Sequence, residues 1–311
     1  IPDNIDVLLV SGASDTIDTV AINNLSSFLD SGKKMLFTQS GVNTDIQTQQ
    51  ALPIESNVFD FLKLYRLNLK KNLVLDAKCG NVQVQQSVGL FRMNRAVQYP
   101  FFPVVDTFNY SDSTSKIIVN KLEQVLPLFP SEIEIDTVNN EIVSDIVHLF
   151  KSSNNSGLME SNFMLSPDPQ QNPFIKILGQ KGKILAAASR LNNDGEIILI
   201  SDSKFLSDEG GMSIPDNVIF LMNTVDYLAG DEDLIELRSR EVTSRPLDIL
   251  GLTDQEESMY TEDEKNKMKD KIKKRWKLAN ILLPSILILG FGFFRFKKDK
   301  NKAEVLKQIY D

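Results

Sequence analysis

The stretch GEIILISDSKFLSDEG, residues 195–210, indicates the fold class. Four consecutive apolar residues, 197–200, predict a strand that is buried on both faces, as the strands of α/β proteins are. This strand runs directly into Ser201, Asp202 and Ser203. Because open α/β sheets bind ligands at the carboxyl ends of their strands, these three residues are a candidate ligand site, and the alternative is a plain strand end followed by a helix N-cap.

The beginning of the chain predicts a β-α-β unit. Residues 4–12, NIDVLLVSG, have the pattern of a buried strand, and the helical pattern that follows ends at Ser31-Gly32. Residues 34–41 predict the next strand. Short connections between a strand, a helix and another strand favour a parallel sheet. A helix around Phe59–Tyr65 and a strand at Leu73–Leu75 repeat the pattern.

The middle of the chain has a different character. Residues 81–105 alternate polar and apolar side chains and contain a Pro-aromatic cluster, which predicts antiparallel β structure inserted into the sheet or packed beside it. Residues 113–129 predict an amphipathic helix with Ser or Thr near its N-cap.

The α/β pattern then returns. Residues 182–208 predict two strands joined by the turn Asn192-Asn193-Asp194-Gly195. A helix over Val218–Leu228 is predicted to end at Gly230. The fold class is therefore α/β with a parallel sheet and an inserted antiparallel region.

The charge is distributed unevenly along the 311 residues. Residues 1–260 hold 20 Lys and Arg against 35 Asp and Glu, a net charge of −15, whereas residues 261–311 hold 14 against 7. A main body this acidic repels nucleic acid and anionic lipid, so neither is expected as its partner. The single cysteine, Cys79, excludes an internal disulfide.

An apolar segment near the carboxyl terminus, residues 278–296, predicts a transmembrane helix. Its first 17 residues, Leu278–Phe294, carry no charge, and as a helix they span about 26 Å, the short end of the range for a membrane span. Basic residues and an aromatic residue bracket the segment, as they do at membrane interfaces. The predicted interface residues are Trp276, Arg275, Lys277, Arg295 and Lys297.

The patterns that enzymes need are absent from the sequence. A serine hydrolase needs a nucleophile, a base and an orienting acid, but the one histidine, His148, lies within a segment of regular structure, and no G-x-S-x-G elbow is present. Cys79 has no neighbouring base. No zinc-binding spacing and no phosphate-binding loop occurs either. We therefore expect no enzyme activity, cofactor or metal, with a membrane-tethered hydrolase using Ser201 and His148 as the remote alternative.

A binding module is the second alternative. The sequence YPFFP places Tyr99, Phe101 and Phe102 close together, and aromatic side chains line the pockets that hold sugars or peptides. The same three side chains are equally suited to filling a core.

Motifs in a consistent order resemble the GldG-like family, the auxiliary component of ABC transporters linked to gliding motility. Residues 227–231, YLAGD, and 234–240, LIELRSR, are similar to the family's "WL-x-G-D" turn and "LI-x-[IL]-R-[SP]-[RK]" segment, and ANILLP at 279–284 is similar to its Asn- and Pro-containing membrane helix. Further similar stretches are IDVLLVSG with LSSFLDSGKKMLF, LYRLNLKKNLVLD and GEIILISDSKFLSD. This chain departs from the family pattern at Lys33, Ser201, Lys204 and Tyr227.

The resemblance implies a flavodoxin-like or amidotransferase-like sandwich without catalytic residues, of the kind that serves as a scaffold in an intraflagellar transport subunit. It thereby implies that Ser201, Asp202 and Ser203 are the relic of a ligand site. It implies a non-catalytic, membrane-anchored ABC transporter subunit whose partners, a permease and an ATPase, are separate chains. The implied location is the bacterial inner membrane, with the large domain in the periplasm.

The predicted organisation is an α/β domain at 1–250, divided into lobes near residue 150, a charged stalk at 251–277, the membrane helix, and a basic cytoplasmic tail at 297–311. Eight Lys and Arg precede the helix and five follow it, which taken alone favours a cytoplasmic domain. Large domains translocate largely regardless of charge, and the resemblance implies the opposite orientation. Because the chain opens at Ile1 almost directly into a strand, we expect a preceding portion to be missing.

Overall fold

The computed structural model describes residues 1–88, 91–120, 122–136, 141–168, 174–208, 210–231, 233–235 and 262–310. The chain forms two compact units. One comprises residues 1–85 and 97–243, and the other comprises residues 86–96 and 244–311.

The described part of the chain contains runs of one to four strands separated by helices. The strands are β1 (Val7–Ser11), β2 (Lys34–Thr38), β3 (Val42–Asp45), β4 (Gln50–Pro53), β5 (Leu67–Leu69), β6 (Leu73–Asp76), β7 (Cys79–Val88), β8 (Phe91–Pro103), β9 (Ile133–Ile135), β10 (Val143–Lys151), β11 (Ser156–Met159), β12 (Ile184–Leu191) and β13 (Glu196–Ile200). The helices are α1 (Thr19–Asp30), α2 (Val58–Leu64), α3 (Ser113–Ile118), α4 (Phe174–Ile177), α5 (Pro215–Ala229) and α6 (Glu262–Tyr310).

The central sheet has the strand order β1-β2-β13-β12-β10 and is mixed. Strand β2 pairs in parallel with β1 on one side and β13 on the other, as the β-α-β pattern predicts. Strands β12 and β10 then add in antiparallel fashion. The predicted parallel pairing is therefore confirmed for β1, β2 and β13, whereas β12 and β10 make the sheet mixed. The hairpin turn at residues 192–195 forces β12 to run opposite to β13, and β10 reverses direction again.

Helices cover both faces of the central sheet. Strand side chains alternate between faces, so Leu36 and Ile198 point to one cluster while Met35 and Ile197 point to the other. Helices α3 and α5 pack on the first face, and α1 and α2 pack on the second. All five residues of β13 are buried, which confirms the prediction of a strand covered on both sides.

A proline marks the beginning of helix α5, and a glycine marks its end. Pro215 occupies the first turn, where its missing N–H costs nothing. Gly230 ends the helix in the left-handed conformation, at φ 83°, which glycine adopts without a steric penalty. The predicted helix over residues 218–228 is therefore confirmed.

Two predicted elements differ from the structure. The helix predicted over residues 113–129 is only the six residues of α3, and its N-cap is Asp112, directly before Ser113 and Thr114. The strand predicted at residues 73–75 forms as β6, but it pairs with β11 in a separate two-stranded sheet. The antiparallel region expected at residues 81–105 corresponds to β7 and β8, which pair with each other apart from the central sheet.

A third hydrophobic cluster contains the aromatic residues that were candidates for ligand binding. Tyr99 is 1% exposed and Phe101 is fully buried, and their rings pack edge-to-face 5.2 Å apart. Phe102 lies 5.0 Å from Tyr99 in the same cluster. The Tyr99 hydroxyl donates a 2.5 Å hydrogen bond to the carbonyl of Leu165. These three side chains fill a core, which contradicts their proposed role in lining a sugar or peptide pocket.

Helix α6 is long and apolar in its central part. A candidate membrane span runs over Asp270–Lys298, with a mean hydropathy of 1.8 and none of its apolar window buried. The predicted segment at residues 278–296 lies inside this helix, as do residues 262–277 of the predicted stalk. Residues 251–261 of that stalk lie outside the described residues.

Candidate functional site

The carboxyl ends of three parallel strands meet at one edge of the central sheet. In register, Ser11 lies beside Thr38, and Thr38 lies beside Ile200, the residue before Ser201. The Thr38 hydroxyl donates to the Ser11 hydroxyl over 2.8 Å. The residues predicted from the sequence, Ser201, Asp202 and Ser203, therefore lie where a ligand site of an α/β sheet would be expected.

Asp202 is fully buried at this edge, and main-chain groups bind both of its carboxyl oxygens. The N–H of Leu128 donates to Oδ2 over 2.7 Å, and the N–H of Lys204 donates to Oδ1 over 2.8 Å. Burial raises the pKa of Asp202 to about 7, although these two hydrogen bonds and the Lys204 charge act in the opposite direction. The carboxyl group thus ties β13 to the segment before β9 and leaves no exposed oxygen for a substrate.

The loop after β2 closes over the same edge. The Ser203 N–H donates to the hydroxyl of Ser40 over 2.8 Å. The side chain of Gln39, fully buried, both accepts from the N–H of Ala13 over 2.8 Å and donates to its carbonyl over 3.1 Å. These bonds join the loops that follow β1, β2 and β13. The side-chain amide of Gln39 and the hydroxyl of Ser40 are therefore used within the protein.

Gly41 shows how closely the loops approach each other. A Cβ atom at this position would lie 1.9 Å from the carbonyl oxygen of Lys70, so any residue larger than glycine would collide with main chain. The Gly41 N–H donates to the Ser131 hydroxyl, which in turn donates to the carbonyl of Asn72, at 2.8 and 2.7 Å. The segment before β9 is thus fastened to the loop after β2.

Lys204 turns away from the Asp202 carboxyl group. Its ammonium donates to the carbonyl of Thr44 over 2.6 Å and lies 5.5 Å from the centre of the Phe129 ring. Burial lowers the pKa of Lys204, while the charges of Asp202 and Asp45 oppose the change. This cation therefore holds β3 against the strand end rather than presenting a charge to solvent.

Ser201 and His148 do not form the nucleophile and base of a hydrolase. The Ser201 side chain is fully buried, and its hydroxyl makes no hydrogen bond with any described residue. His148 lies on β10, which is separated from β13 by β12. Burial and the nearby Lys151 lower the pKa of His148. A serine nucleophile requires a base within hydrogen-bond reach, and Ser201 has none in the described part of the chain.

A second polar cluster, which was not predicted, lies at the amino end of β13. Glu196 is 4% exposed and sits directly opposite Arg190 of β12. The Arg190 Nε lies 3.6 Å from Glu196 Oε1, and the Tyr227 hydroxyl donates to the same oxygen over 3.4 Å. Burial raises the pKa of Glu196, and the Arg190 charge opposes the rise.

Arg190 also pairs with two other acids. Its Nη2 donates to Asp112 over 2.7 Å, and its Nη1 donates to Asp145 over 3.1 Å. Burial acts to raise the pKa of Asp112, but the bond from Arg190 and the main-chain N–H groups that it caps at the start of α3 hold the value below its ordinary range. Arg190 therefore joins β12 to β13, β10 and α3. The four-residue turn between Arg190 and Glu196 was the sequence signal for their pairing.

The remaining candidates from the sequence are the Cys79 thiol, a metal site and the membrane-interface residues. Cys79 is half-buried, and burial raises the pKa of its thiol to about 11, which disfavours a reactive thiolate. Among the described residues, no group of three His, Cys, Asp or Glu side chains is placed to hold a metal ion. The predicted membrane-interface residues Trp276, Arg275, Lys277, Arg295 and Lys297 all lie exposed on α6.

Comparisons with known proteins place the chain in a family. The model of a family described as an ABC-type uncharacterized transport system matches residues 1–224. A curated Borreliella burgdorferi protein, titled "Uncharacterized protein", is 24% identical over 312 residues, and the match covers 96% of this chain but only 57% of that protein. The solved mmIFT52 N-terminal domain matches at 11% identity and a TM-score of 0.45, covering 73% of this chain and 78% of that domain. Because the family model covers most of the chain, the protein belongs to the family of auxiliary components of ABC-type uncharacterized transport systems.

Proposed function

We propose that this chain is a non-catalytic, membrane-anchored auxiliary subunit of an ABC transporter, of the GldG-like kind associated with gliding motility. The observation that carries the proposal is the family match over residues 1–224. The proposed partners are a separate permease and a separate ATPase. The ordered motifs and the ANILLP segment of the membrane helix support the GldG-like assignment.

Helix α6 supports the membrane anchor. Its apolar side chains are exposed, with Leu289 at 73% and Phe293 at 71%. A run of exposed apolar side chains this long is unfavourable in water and is satisfied by lipid. The exposed Trp276 and the basic residues on both sides match the composition of membrane interfaces.

The arrangement at the carboxyl edge supports a non-catalytic role. Catalytic groups need contact with a substrate, whereas Asp202 and Ser201 are fully buried and the neighbouring polar groups bond to main chain. We infer that the Ser201-Asp202-Ser203 segment is a relic site that now serves to join loops. The β-α-β unit and the helices on both sheet faces are consistent with descent from a flavodoxin-like or amidotransferase-like sandwich.

We place the large domain in the periplasm, with the anchor in the bacterial inner membrane and the tail in the cytoplasm. The family resemblance supports this orientation, and the size of the domain makes its translocation largely independent of flanking charge. Protease added to intact spheroplasts should degrade the large domain. Full protection, with a periplasmic control protein digested in the same sample, would contradict the placement.

Co-purification tests the transporter assignment. The full-length chain, tagged at its carboxyl terminus, is extracted in a mild detergent that preserves a control ABC complex, and bound proteins are identified by mass spectrometry. The expected result is recovery of an ABC ATPase and a multi-span permease. A variant carrying Leu283→Lys and Leu287→Lys should leave the membrane fraction and lose both partners. A clean wild-type preparation without them would contradict the proposal.

A further inference from the structure

Helix α6 carries a polar residue, Asn280, and a proline, Pro284, one turn apart. Asn280 is the third residue of the uncharged stretch that begins at Leu278, and Pro284 lies inside the same continuous helix. Asn280 lies about 9 Å from the middle of this stretch, Ile286. A hydrocarbon layer extends about 15 Å to either side of its centre, so Asn280 lies within the hydrocarbon.

Asn280 contributes two polar groups at this level, its side-chain amide and its main-chain carbonyl. The Asn280 side chain is exposed and makes no hydrogen bond with any described residue. Pro284 has no N–H, so the main-chain carbonyl of Asn280 loses the donor that normally lies four residues further along a helix. Lipid tails offer no hydrogen bonds, and polar groups inside the bilayer are satisfied by protein.

The Asn280 side chain is therefore exposed, and the main-chain carbonyl of the same residue lacks the N–H that residue 284 would otherwise donate. An amide side chain both donates and accepts, and polar side chains of this kind join transmembrane helices through hydrogen bonds. From this juxtaposition we propose that Asn280 is the contact point for a transmembrane helix of another protein, one that presents a hydrogen-bonding side chain at the same depth. The proposal rests on the membrane anchoring and transporter assignment proposed above.

The charges of the chain favour a different protein over a second copy. Residues 265–277 contain eight Lys and Arg and a single acid, Asp270. Two parallel copies of α6 in contact at Asn280 would place the two basic segments 265–277 side by side, where they would repel each other. Residues 1–260 of the two copies, each with a net charge of −15, would also repel each other. The partner helix should therefore have acidic or neutral residues outside its corresponding end.

Two leucines on opposite sides of α6 can test whether the side that carries Asn280 contacts another helix. Leu287 lies seven residues after Asn280, about 20° away around the helix, whereas Leu289 lies nine residues after it, on the opposite side. Both are exposed, at 63% and 73%, and they differ by about 3 Å in depth. A photoreactive phenylalanine analogue replaces either leucine in the full-length chain, which is then irradiated in intact cells that also express a differently tagged second copy.

The expected result is an adduct from position 287 with another membrane protein, and little adduct from position 289. Adding Asn280→Leu, which removes the amide but keeps the size and the membrane insertion, should reduce the adduct by about threefold to tenfold. Asn280→Gln should retain most of it. The adduct partner, identified by mass spectrometry, should carry a polar residue in the contacting helix.

Several outcomes would overturn the inference. These are equal yields from both faces, a yield that does not depend on Asn280, and an adduct between the two tagged copies. The absence of any adduct in cells from which the permease still co-purifies would overturn this inference alone. An Asn280-dependent adduct with a membrane protein unrelated to ABC transporters would instead support the helix contact and overturn the transporter assignment.

Discussion

The two ends of β13 each hold a buried acid, Glu196 at the amino end and Asp202 just beyond the carboxyl end. Burial raises the pKa of both. Glu196 has a cation beside it, because Arg190 lies across the hairpin. In the described part of the chain, only main-chain N–H groups donate to the oxygens of Asp202, because the Lys204 ammonium donates to the carbonyl of Thr44.

The difference shows that one strand can be fastened in two ways. At the amino end, charged side chains from several elements converge on Arg190, so the joint depends on a compensated charge. At the carboxyl end, Asp202 accepts bonds from the main chain, so the joint depends on the geometry of two oxygens. The two joints should therefore respond differently to substitution and to pH.

The largest effect is expected from Arg190→Ala. This change leaves Glu196 as a buried acid without its cation and removes the bonds to Asp112 and Asp145. Breaking a largely buried ion pair from one side destabilises a protein by about 3 kcal/mol. Chemical unfolding of the full-length protein in detergent measures the loss. Lys33→Ala, which breaks the pair with the solvent-exposed carboxylate of Asp6, is the control and should cost less than about 1 kcal/mol. Equal losses of unfolding free energy in the two variants would refute the account of the amino end.

A smaller effect is expected from Asp202→Asn at about pH 4.5. The asparagine NH2 group cannot accept a hydrogen bond, so it would face either the Leu128 or the Lys204 N–H, donor against donor. A buried N–H left without an acceptor costs about 2 kcal/mol. The matched control is Asp208→Asn, an exposed acid on the same loop, which should change stability by less than about 0.5 kcal/mol. If Asp202→Asn leaves the unfolding free energy unchanged, the two main-chain hydrogen bonds contribute nothing to stability.

The loss of unfolding free energy caused by Asp202→Asn should become smaller as the pH rises toward 7. The pKa of Asp202 is about 7 in the folded protein against an ordinary value of 3.8, so the folded state binds a proton that the unfolded state has already lost. The stabilisation from this group is complete below about pH 4 and is lost as the pH approaches 7. The measurement is the difference in unfolding free energy between the wild type and the variant across this range. A difference that widens with pH would contradict a raised pKa.

The smallest effect is expected from Ser201→Ala. The Ser201 hydroxyl is buried and makes no hydrogen bond with any described residue, so its removal should be neutral or stabilising by up to about 1 kcal/mol. Ser131→Ala is the matched comparison, because that hydroxyl bonds to both Asn72 and Gly41, and its loss should cost about 1–2 kcal/mol. Thermal unfolding of the two variants side by side distinguishes them. A larger loss at Ser201 than at Ser131 would mean that the Ser201 hydroxyl has a partner.

The parts of the fold that the sequence could predict are those set by local chemistry. Close spacing in the chain brings together β1, α1 and β2, and the Asn-Asp-Gly turn brings together β12 and β13. Gly230 marks the end of α5 in the same way. The partner of β6 could not be predicted, because an apolar run such as residues 73–75 is equally suited to a central sheet or to a two-stranded ladder with β11.

The candidate site could be located but not interpreted from the sequence. Strand topology places Ser201 and Asp202 at the carboxyl edge, and the structure agrees. The groups that occupy this edge come from distant segments, such as Leu128, Ser131 and Ser40. These long-range contacts depend on how the loops pack, which no local pattern encodes.

Thiol labelling tests most directly whether the Ser201-Asp202-Ser203 edge is closed. Ser201→Cys and, as an exposed control on the same loop, Ser207→Cys are made in full-length protein in which Cys79 is replaced by serine. A cysteine at a fully buried position reacts only when the structure opens. The account predicts rapid maleimide labelling at position 207 and labelling at position 201 only under denaturing conditions. Comparable labelling of both positions in the native protein would contradict it and would show an open site at this end of β13.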